Sequence, residues 1–215
     1  DSVARGIDYV VRREGRLDVL INSAGYALAG AVEDTTVEEA KSQFETNFFG
    51  SLRLCRAALP VMRDQRDGYI VFIGSAAGIV SLPFQSMYSA SKFALEGFAE
   101  ALRMEVAPFG IRVVLIEPTD FRTRITANRR RTSAAAGNDS AYRDVFAASL
   151  AVTEQGETQG PSPDRIARLI ERILHDPAPQ LRYPVGPLSG VIVLLKRFLP
   201  HRIYERILMK HFRLR

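Results

Sequence analysis

Short apolar runs that alternate with helical patterns constrain the fold of this chain more than any other feature. Such runs lie near residues 17–22, 69–74 and 111–116, and a further one lies at 181–185. A bounded apolar run of about four to eight residues indicates a strand that is buried on both faces. Because helical segments separate the runs, we predict an α/β fold with a parallel sheet.

The helical segments carry their own start and stop signals. Thr36 and Glu39 form a capping box, which predicts a helix from there to about Asp64. Its apolar stripe is predicted to be Phe44, Phe48, Leu52, Cys55 and Leu59. A second long helix is predicted from Tyr88 to about Phe109, and a third begins at Ser162 and Pro163. Asn47, within the first of these helices, is a poor helix former and needs a particular reason to face inward.

Composition indicates one globular domain covering residues 1–215. Hydrophobic residues make up 47% of the chain and charged residues 25%, which is ordinary for a domain with a sizeable core. The single cysteine, Cys55, excludes an internal disulfide and fits a reducing, cytoplasmic location. No apolar run approaches about 18 residues, so no transmembrane helix is predicted. The histidines lack the spacing of metal ligands, so we predict no metal site.

The positive charge is concentrated at one end of the chain. The net charge is +5, and residues 190–215 hold seven Lys or Arg against one Glu. The rest is nearly neutral, which argues against a nucleic-acid partner. Two basic amphipathic helices are predicted at 188–199 and 201–213. They could contact a membrane surface, form a dimer face or cover the core.

Residues 124–161 differ from the rest in composition. They contain Arg129, Arg130 and Arg131, followed by small and polar residues. We predict a mobile polar insertion there. A solvated surface is the favoured interpretation of the arginines, and a lid that orders over substrate is the alternative.

Polar residues cluster where two of the predicted strands end. Ser75 follows the second strand, and Tyr88 and Lys92 are four residues apart on one face of the next helix. Open α/β sheets bind ligands at this edge. A nearby ammonium lowers the pKa of a tyrosine, which suits general acid–base chemistry. The Tyr-Lys spacing alone is weak, because any helix carries it by chance.

Several motifs in order resemble the classical short-chain dehydrogenase/reductases over nearly the whole chain. The matching residues are Asn22, Ser23, Ala24, Gly25, Asn47, Ser75, Tyr88, Lys92, Pro118 and Thr123. The segment from Ser86 to Pro118 is similar to the subgroup of 17β-hydroxysteroid and retinol dehydrogenases. The resemblance implies a Rossmann-like, doubly wound parallel sheet. It also implies NAD(P)-dependent interconversion of an alcohol and a carbonyl on a bulky apolar small molecule.

The resemblance also implies individual roles. Tyr88 would be the general acid/base, Ser75 would orient the substrate oxygen, and Lys92 would lower the tyrosine pKa and hold the nicotinamide ribose. Asn47 would position a water in a proton relay to Lys92. The cofactor-binding residues would be Asn22, Ala24, Gly25, Tyr88, Lys92, Pro118 and Thr123, with Thr123 at the carboxamide. The family's usual homo-oligomer, a dimer or tetramer, would form through helices 37–64 and 88–109.

Two departures from the family pattern affect these expectations. Thr119 replaces a loop glycine, which would place a side chain near the nicotinamide. The glycine-rich pyrophosphate turn and the strands around it are not found in the 215 residues. We therefore expect an N-terminally incomplete domain, short by about 60 residues, that is inactive alone. The choice between NAD and NADP stays open, with NADP slightly preferred. The alternative from another class is a non-catalytic Rossmann-like binding or scaffold protein.

Overall fold

The computed structural model describes residues 2–137 and 140–215. The helices are α1 Ser2–Glu14, α2 Val37–Phe44, α3 Gly50–Gln65, α4 Ser86–Val106, α5 Ser133–Ala136, α6 Arg143–Gln159, α7 Asp164–Leu174, α8 Ser189–Phe198 and α9 His201–His211. The strands are β1 Val19–Asn22, β2 Leu28–Ala29, β3 Gly68–Ile73, β4 Ile111–Pro118, β5 Arg130–Arg131 and β6 Arg182–Val185.

The four predicted strands form one parallel sheet in the order β1-β3-β4-β6. In its register, Asn22 lies opposite Phe72 and Ile73 lies opposite Ile116. The strands therefore end together at one edge. Strands β2 and β5 pair separately beyond this edge. The α/β prediction is confirmed.

Helices cover both faces of the sheet, as expected for a doubly wound fold. On one face, helices α1, α3 and α4 bury side chains against β1, β3 and β4, and the fully buried members include Met62, Ile70, Phe72 and Leu115. On the other face, Ile170 and Ile173 of α7 pack against Val71, Val114 and Ile116. The helix predicted to begin at Ser162 and Pro163 is therefore confirmed, with its first residue at Asp164.

The helix predicted from Thr36 onward forms with its capping box, but a π-helical turn, Glu45–Phe49, interrupts it between α2 and α3. The predicted stripe was only partly correct. Cys55 is buried and Leu59 packs against the core, whereas Phe44, Phe48 and Leu52 are half-buried. The buried line instead contains Gln43, Asn47, Ser51, Cys55, Ala58 and Met62. Polar side chains on that line face the core because they bond to neighbouring loops, as described below.

Residues 124–161 are more ordered than predicted. Apart from residues 138–139, which lie outside the described residues, the segment contains β5, α5 and the 17-residue helix α6. The interpretation of Arg129 as solvated was wrong, because its side chain is only 2% exposed. Two carboxylates of α6 neutralise it: Glu157 lies 2.5 Å from its guanidinium and Glu154 lies 3.6 Å away. Arg131, by contrast, is 53% exposed.

The chain ends in the two predicted helices, α8 and α9. Leu188, Leu194 and Phe198 expose 70%, 57% and 69% of their surface there. Across the part of the chain that the structure describes, no helix has both the length and the apolar character needed to cross a membrane.

We expect Gly110→Ala to destabilise the protein, because Gly110 has φ +72° and an added Cβ would meet the Arg66 carbonyl oxygen at 2.5 Å. The left-handed conformation alone costs about 1–2 kcal/mol for an L-residue. Gly6 in α1 is the matched control, with open space around its missing Cβ. Gly6→Ala should raise the free energy of unfolding by about 1 kcal/mol. Urea unfolding measures both, and equal effects of the two variants would contradict this account.

Candidate active site

Ser75, Tyr88 and Lys92 meet at the carboxyl edge of the sheet. Ser75 follows β3 and caps a short 3-10 turn, its hydroxyl accepting from the Ala77 amide at 3.1 Å. Tyr88 and Lys92 lie in the first turns of α4 and are 9% and 7% exposed. The Lys92 Nζ donates to the Ile73 carbonyl at 2.8 Å and lies 5.8 Å from the centre of the Tyr88 ring. This hydrogen bond ties α4 to the end of β3.

The electrostatics of Tyr88 differ from the sequence-based expectation. Burial raises the pKa of the phenol above its ordinary value. Hydrogen bonding with Ser75 and the charge of Arg129 lower the pKa, whereas the charge of Glu157 raises it, and the net direction is upward. The predicted lowering of the pKa by Lys92 is therefore not the dominant effect in this structure. The phenol is held protonated, which suits it to give a proton.

Burial has the opposite effect on Lys92. It lowers the pKa of the ammonium from 10.5 to about 8, and the nearby Glu96 carboxylate opposes that shift. The lysine therefore changes charge close to physiological pH.

Asn47 faces inward because both ends of its amide are hydrogen-bonded. Its Nδ2 donates to the Tyr26 carbonyl and to the Ser91 hydroxyl, each at 3.1 Å. Its Oδ1 accepts from the Tyr26 amide, also at 3.1 Å. Ser91 in turn donates to the Tyr88 carbonyl at 2.7 Å. The π-helical turn therefore connects the loop after β1 to the helix that carries Tyr88.

The Asn22 side chain extends this network to β1. Its Nδ2 donates to the Ser51 hydroxyl at 2.7 Å, and its Oδ1 accepts from the Ala24 amide at 3.2 Å. Ala24 and Gly25 then lie exposed at the carboxyl end of the strand. A Cβ on Gly25 would approach Asn47 Oδ1 to 3.2 Å, so a glycine keeps this surface open without disturbing the network.

The loop after β4 supplies the remaining predicted residues. Pro118 is half-buried, and Thr123 is exposed, with its hydroxyl accepting from the Ile125 amide at 3.2 Å. The Thr119 hydroxyl donates to the Pro187 carbonyl at 3.0 Å, in the loop after β6. The threonine that replaces the family's glycine at position 119 thus adds a hydrogen bond between two loops.

These residues fit the nicotinamide half of a dinucleotide. Exposed Ala24, Gly25 and Thr123 and half-buried Pro118 surround the edge where Lys92 and Tyr88 lie. The open surface at Gly25, which a larger side chain would disturb, is the kind of close approach that such a ligand needs. Among residues 2–137 and 140–215, His, Cys, Asp and Glu form no group of three or more that could hold a metal.

Sequence reasoning missed three supporting residues, Gln43, Ser51 and Ser91. Gln43 is fully buried, and its amide accepts from the Leu28 amide at 2.7 Å and donates to the Tyr26 carbonyl at 2.9 Å. A signal was available, because Gln43, Asn47 and Ser51 repeat every four residues and so share one helix face. The prediction assigned the buried helix face from apolar residues alone, and it therefore overlooked this line of polar residues.

We expect Lys92→Met to change how stability depends on pH. The folded pKa of Lys92 is lowered to about 8 from 10.5, so between those values only the unfolded state holds the proton. The free energy of unfolding should then rise with pH across this window in the wild type. Lys92→Met should remove that rise, as measured by urea unfolding from pH 7 to 11. An unchanged rise would mean that another group causes it.

A doubly wound parallel sheet with polar groups at its carboxyl edge defines a nucleotide-binding α/β protein of the Rossmann type. The sequence model of the short chain dehydrogenase family matches residues 1–134. Over 215 residues the chain is 41% identical to 3-ketodihydrosphingosine reductase of Bacteroides thetaiotaomicron, covering 100% of this chain and 80% of that protein. It is 33% identical over 208 residues to retinol dehydrogenase 8 of Bos taurus, covering 93% of this chain and 65% of that protein.

A solved structure gives the same result. A short-chain dehydrogenase from Streptomyces avermitilis matches with a TM-score of 0.78 at 33% identity, covering 99% of this chain and 74% of that one. The chain belongs to the short-chain dehydrogenase/reductase family and is an NAD(P)-dependent oxidoreductase. The family resemblance drawn from the ordered motifs is confirmed.

Proposed function

We propose that this protein interconverts an alcohol and a carbonyl, with Tyr88 as the general acid/base. The observation that carries the proposal is the convergence of Ser75, Tyr88 and buried Lys92 at the carboxyl edge of the sheet. Burying an ammonium beside two hydroxyl groups costs folding free energy, and arrangements of this kind are concentrated at functional sites.

In the reductive direction, the Ser75 and Tyr88 hydroxyls hold the carbonyl oxygen of the substrate. Tyr88, protonated in the resting site, gives its proton to that oxygen as negative charge develops there. The Lys92 ammonium then stabilises the phenolate that remains. The nicotinamide supplies the hydride when the cofactor is bound, or accepts it in the oxidative direction. Asn22, Ala24, Gly25, Pro118 and Thr123 would hold that cofactor together with Tyr88 and Lys92.

Asn47 has a positioning role in this scheme. Its three hydrogen bonds leave one lone pair of Oδ1 without a partner among them. That acceptor would hold a water that returns a proton towards Lys92, as the family resemblance implies.

The substrate proposed is a long-chain ketone or alcohol. The relative in Bacteroides thetaiotaomicron carries the name of a reductase for 3-ketodihydrosphingosine, a long-chain amino ketone. A cavity of about 320 Å³ lies beside the segment that joins Ser75 to Tyr88. Its lining is mixed: the apolar residues are Leu82, Pro83, Tyr204, Leu208, Met209 and Leu214, and the polar ones are Ser81, Lys196, His201 and Glu205. The apolar part of this lining would suit an alkyl chain, and the polar part a polar head group.

The test is oxidation of NADH or NADPH in the presence of 3-ketodihydrosphingosine, a long-chain ketone without the amine, and a short ketone. We expect turnover to increase with chain length, and the two cofactors assayed in parallel reveal the preference. Binding of cofactor without turnover of any ketone or alcohol would favour the non-catalytic alternative.

The segment 124–161 is proposed to act as a lid within a single domain. Arg129 and Glu157 both belong to this segment, and the charges of both residues act on Tyr88. Their ion pair fastens the part of the segment before β5 to α6, so its loss should loosen the segment. Arg129→Met should accelerate hydrogen exchange in α6, whereas Arg131→Met, at an exposed site, should not. Equal exchange in the two variants would contradict the lid.

Helices α8 and α9 are proposed to contact an anionic membrane surface peripherally, on the cytoplasmic side. Leu188, Leu194 and Phe198 are exposed beside a strongly basic tail. Flotation with phosphatidylserine-containing vesicles should exceed flotation with phosphatidylcholine alone. Phe198→Glu should abolish the excess, and Val32→Glu, at another exposed apolar residue, should not. Equal flotation of both variants would argue against the contact.

A homo-oligomer, a dimer or tetramer, is proposed to form through the helices at 37–64 and 88–109. Phe49 and Phe93, one in each range, expose 42% and 40% of their surface, which a partner copy would cover. Phe93→Arg should lower the mass in sedimentation, whereas Tyr9→Arg on α1 should leave it unchanged. A wild-type monomer at all concentrations would contradict the proposal.

A further inference from the structure

Two buried glutamates lie near Lys92. Glu117 lies at the end of β4 and is 1% exposed. Glu96 lies on α4, one turn after Lys92, and is 9% exposed. The carboxyl group of Glu96 is near enough to that of Glu117 to raise its pKa. Arg182 of β6 also reaches this place, donating from Nε to Glu96 at 2.9 Å.

Within the described residues, neither oxygen of Glu117 accepts a hydrogen bond from a backbone amide or a side-chain donor. The same holds for Oε1 of Glu96. A buried carboxylate without a donor is costly, and two carboxylates cannot hydrogen-bond to each other, because both only accept. A hydrogen bond between the two groups, which would satisfy these oxygens, therefore requires a proton on one of them.

The surrounding charges decide which carboxyl holds the proton. Glu96 faces two cations, the Arg182 guanidinium on β6 and the Lys92 ammonium on its own helix. Arg182 also pairs with Glu100, the remaining acid near the cluster. Glu117 has neither cation as a direct partner. Glu96 is therefore the ionised member and Glu117 the neutral one.

We propose that Glu117 is a protonated carboxylic acid that donates its hydrogen to the Glu96 carboxylate, and that this acid pair is a positioning device that keeps Lys92 charged. The second half of the inference rests on the proposed function, because it concerns the lysine beside Tyr88. The first half does not.

The cluster explains two properties of the site together. Burial beside Glu96 raises the pKa of Glu117 from 4.5 to about 8, and Arg182 opposes that rise. The negative charge of Glu96 in turn supports the ammonium of Lys92. A neutral Glu117 satisfies the free oxygen of Glu96 without adding a second negative charge. The charges of the cluster then balance, because two cations, Lys92 and Arg182, face two anions, Glu96 and Glu100.

Infrared difference spectroscopy detects the protonated carboxyl group of Glu117 directly, and it requires no enzymatic turnover. The wild type at pH 6 should have the carbonyl stretch of a buried protonated carboxylic acid, and Glu117→Gln should lack it. The band should disappear as the pH rises through about 8. A spectrum in which Glu117→Gln removes no such band would overturn the proposal.

The pH dependence of stability tests for the same proton in a second way. Because the folded pKa of Glu117 is the higher one, the folded state alone keeps the proton between pH 4.5 and about 8. The free energy of unfolding should therefore fall with rising pH in this window relative to Glu117→Gln. Glu117→Leu removes the donor, so its urea unfolding midpoint should be lower than that of the wild type. Glu117→Gln keeps a donor in its amide, so its midpoint should be close to that of the wild type. A leucine variant as stable as the glutamine variant would argue against the hydrogen bond.

The pH profile of kcat/KM tests the link to Lys92. Removing the opposite charge in Glu96→Gln should move the alkaline loss of activity down by about 1 pH unit. Glu100→Gln is the control, since it breaks the other contact of Arg182 but leaves in place Glu96, the carboxylate that supports the Lys92 ammonium. Equal alkaline limbs in the two variants would refute the positioning role, while leaving the proposed function to be judged by Tyr88 alone.

Discussion

Tyr88→Phe is expected to lower kcat by about 10²- to 10⁴-fold, the contribution usual for a positioned general acid. Phenylalanine keeps the ring but removes the hydroxyl that gives the proton. Because the ring packs with Ala27 and Ala77, the fold should be retained. The measurement is ketone-dependent oxidation of NAD(P)H under saturating cofactor.

A matched control separates loss of chemistry from loss of structure. Tyr142→Phe removes the hydroxyl of a 37%-exposed tyrosine and should leave turnover unchanged. Nicotinamide binding to Tyr88→Phe, followed by fluorescence, should stay within a few-fold of wild type. Wild-type turnover in Tyr88→Phe would disprove the catalytic assignment.

Asn47→Leu is expected to have the largest effect on stability among substitutions at the site. The side chains share the same branched shape, but leucine leaves the Tyr26 amide, the Tyr26 carbonyl and the Ser91 hydroxyl without the three bonds that Asn47 makes. Each buried polar group left unpaired costs about 1–3 kcal/mol. Partial compensation by Gln43, which also bonds the Tyr26 carbonyl, brings the expected total to about 3–5 kcal/mol.

Urea unfolding measures this cost, and Asn128→Leu is the control because Asn128 is exposed. Asn47→Asp gives a finer test. An ionised aspartate accepts from the Tyr26 amide but cannot donate to the Tyr26 carbonyl or to Ser91. It should therefore be less destabilising at acidic pH, where it is protonated and can donate once. A loss of stability below about 1 kcal/mol in Asn47→Leu would mean that the network is not essential.

The sheet was predictable because its strands are short, apolar and well separated. Each lies within two residues of its expected position, since burial on both faces leaves a continuous apolar run. The predicted stripe of α2 and α3 was only partly correct for the converse reason. Its buried face is polar, and the partners that satisfy Gln43 and Asn47 belong to a loop about 20 residues away in sequence.

The same reasoning explains why the burial of Arg129 was not predicted. Local sequence indicated a solvated arginine, because three consecutive arginines cannot usually be buried together. The partner carboxylate, Glu157, lies 28 residues further along the chain, and only the tertiary structure brings it near. Tyr88 and Lys92 were located correctly because four-residue spacing on a helix is a local property. The direction of the Tyr88 pKa was not, because it depends on burial.

The π-helical turn has a consequence for how this chain can vary. One residue in an α-helix corresponds to a rotation of about 100°, so the five-residue turn Glu45–Phe49 acts as a phase adjustment between α2 and α3. Point substitutions at its exposed positions should be tolerated. Deletion of a single residue there would rotate Gln43 away from Leu28 while leaving α3 in place. Insertions and deletions at this turn should therefore be rare among functional sequences, even where its side chains vary freely.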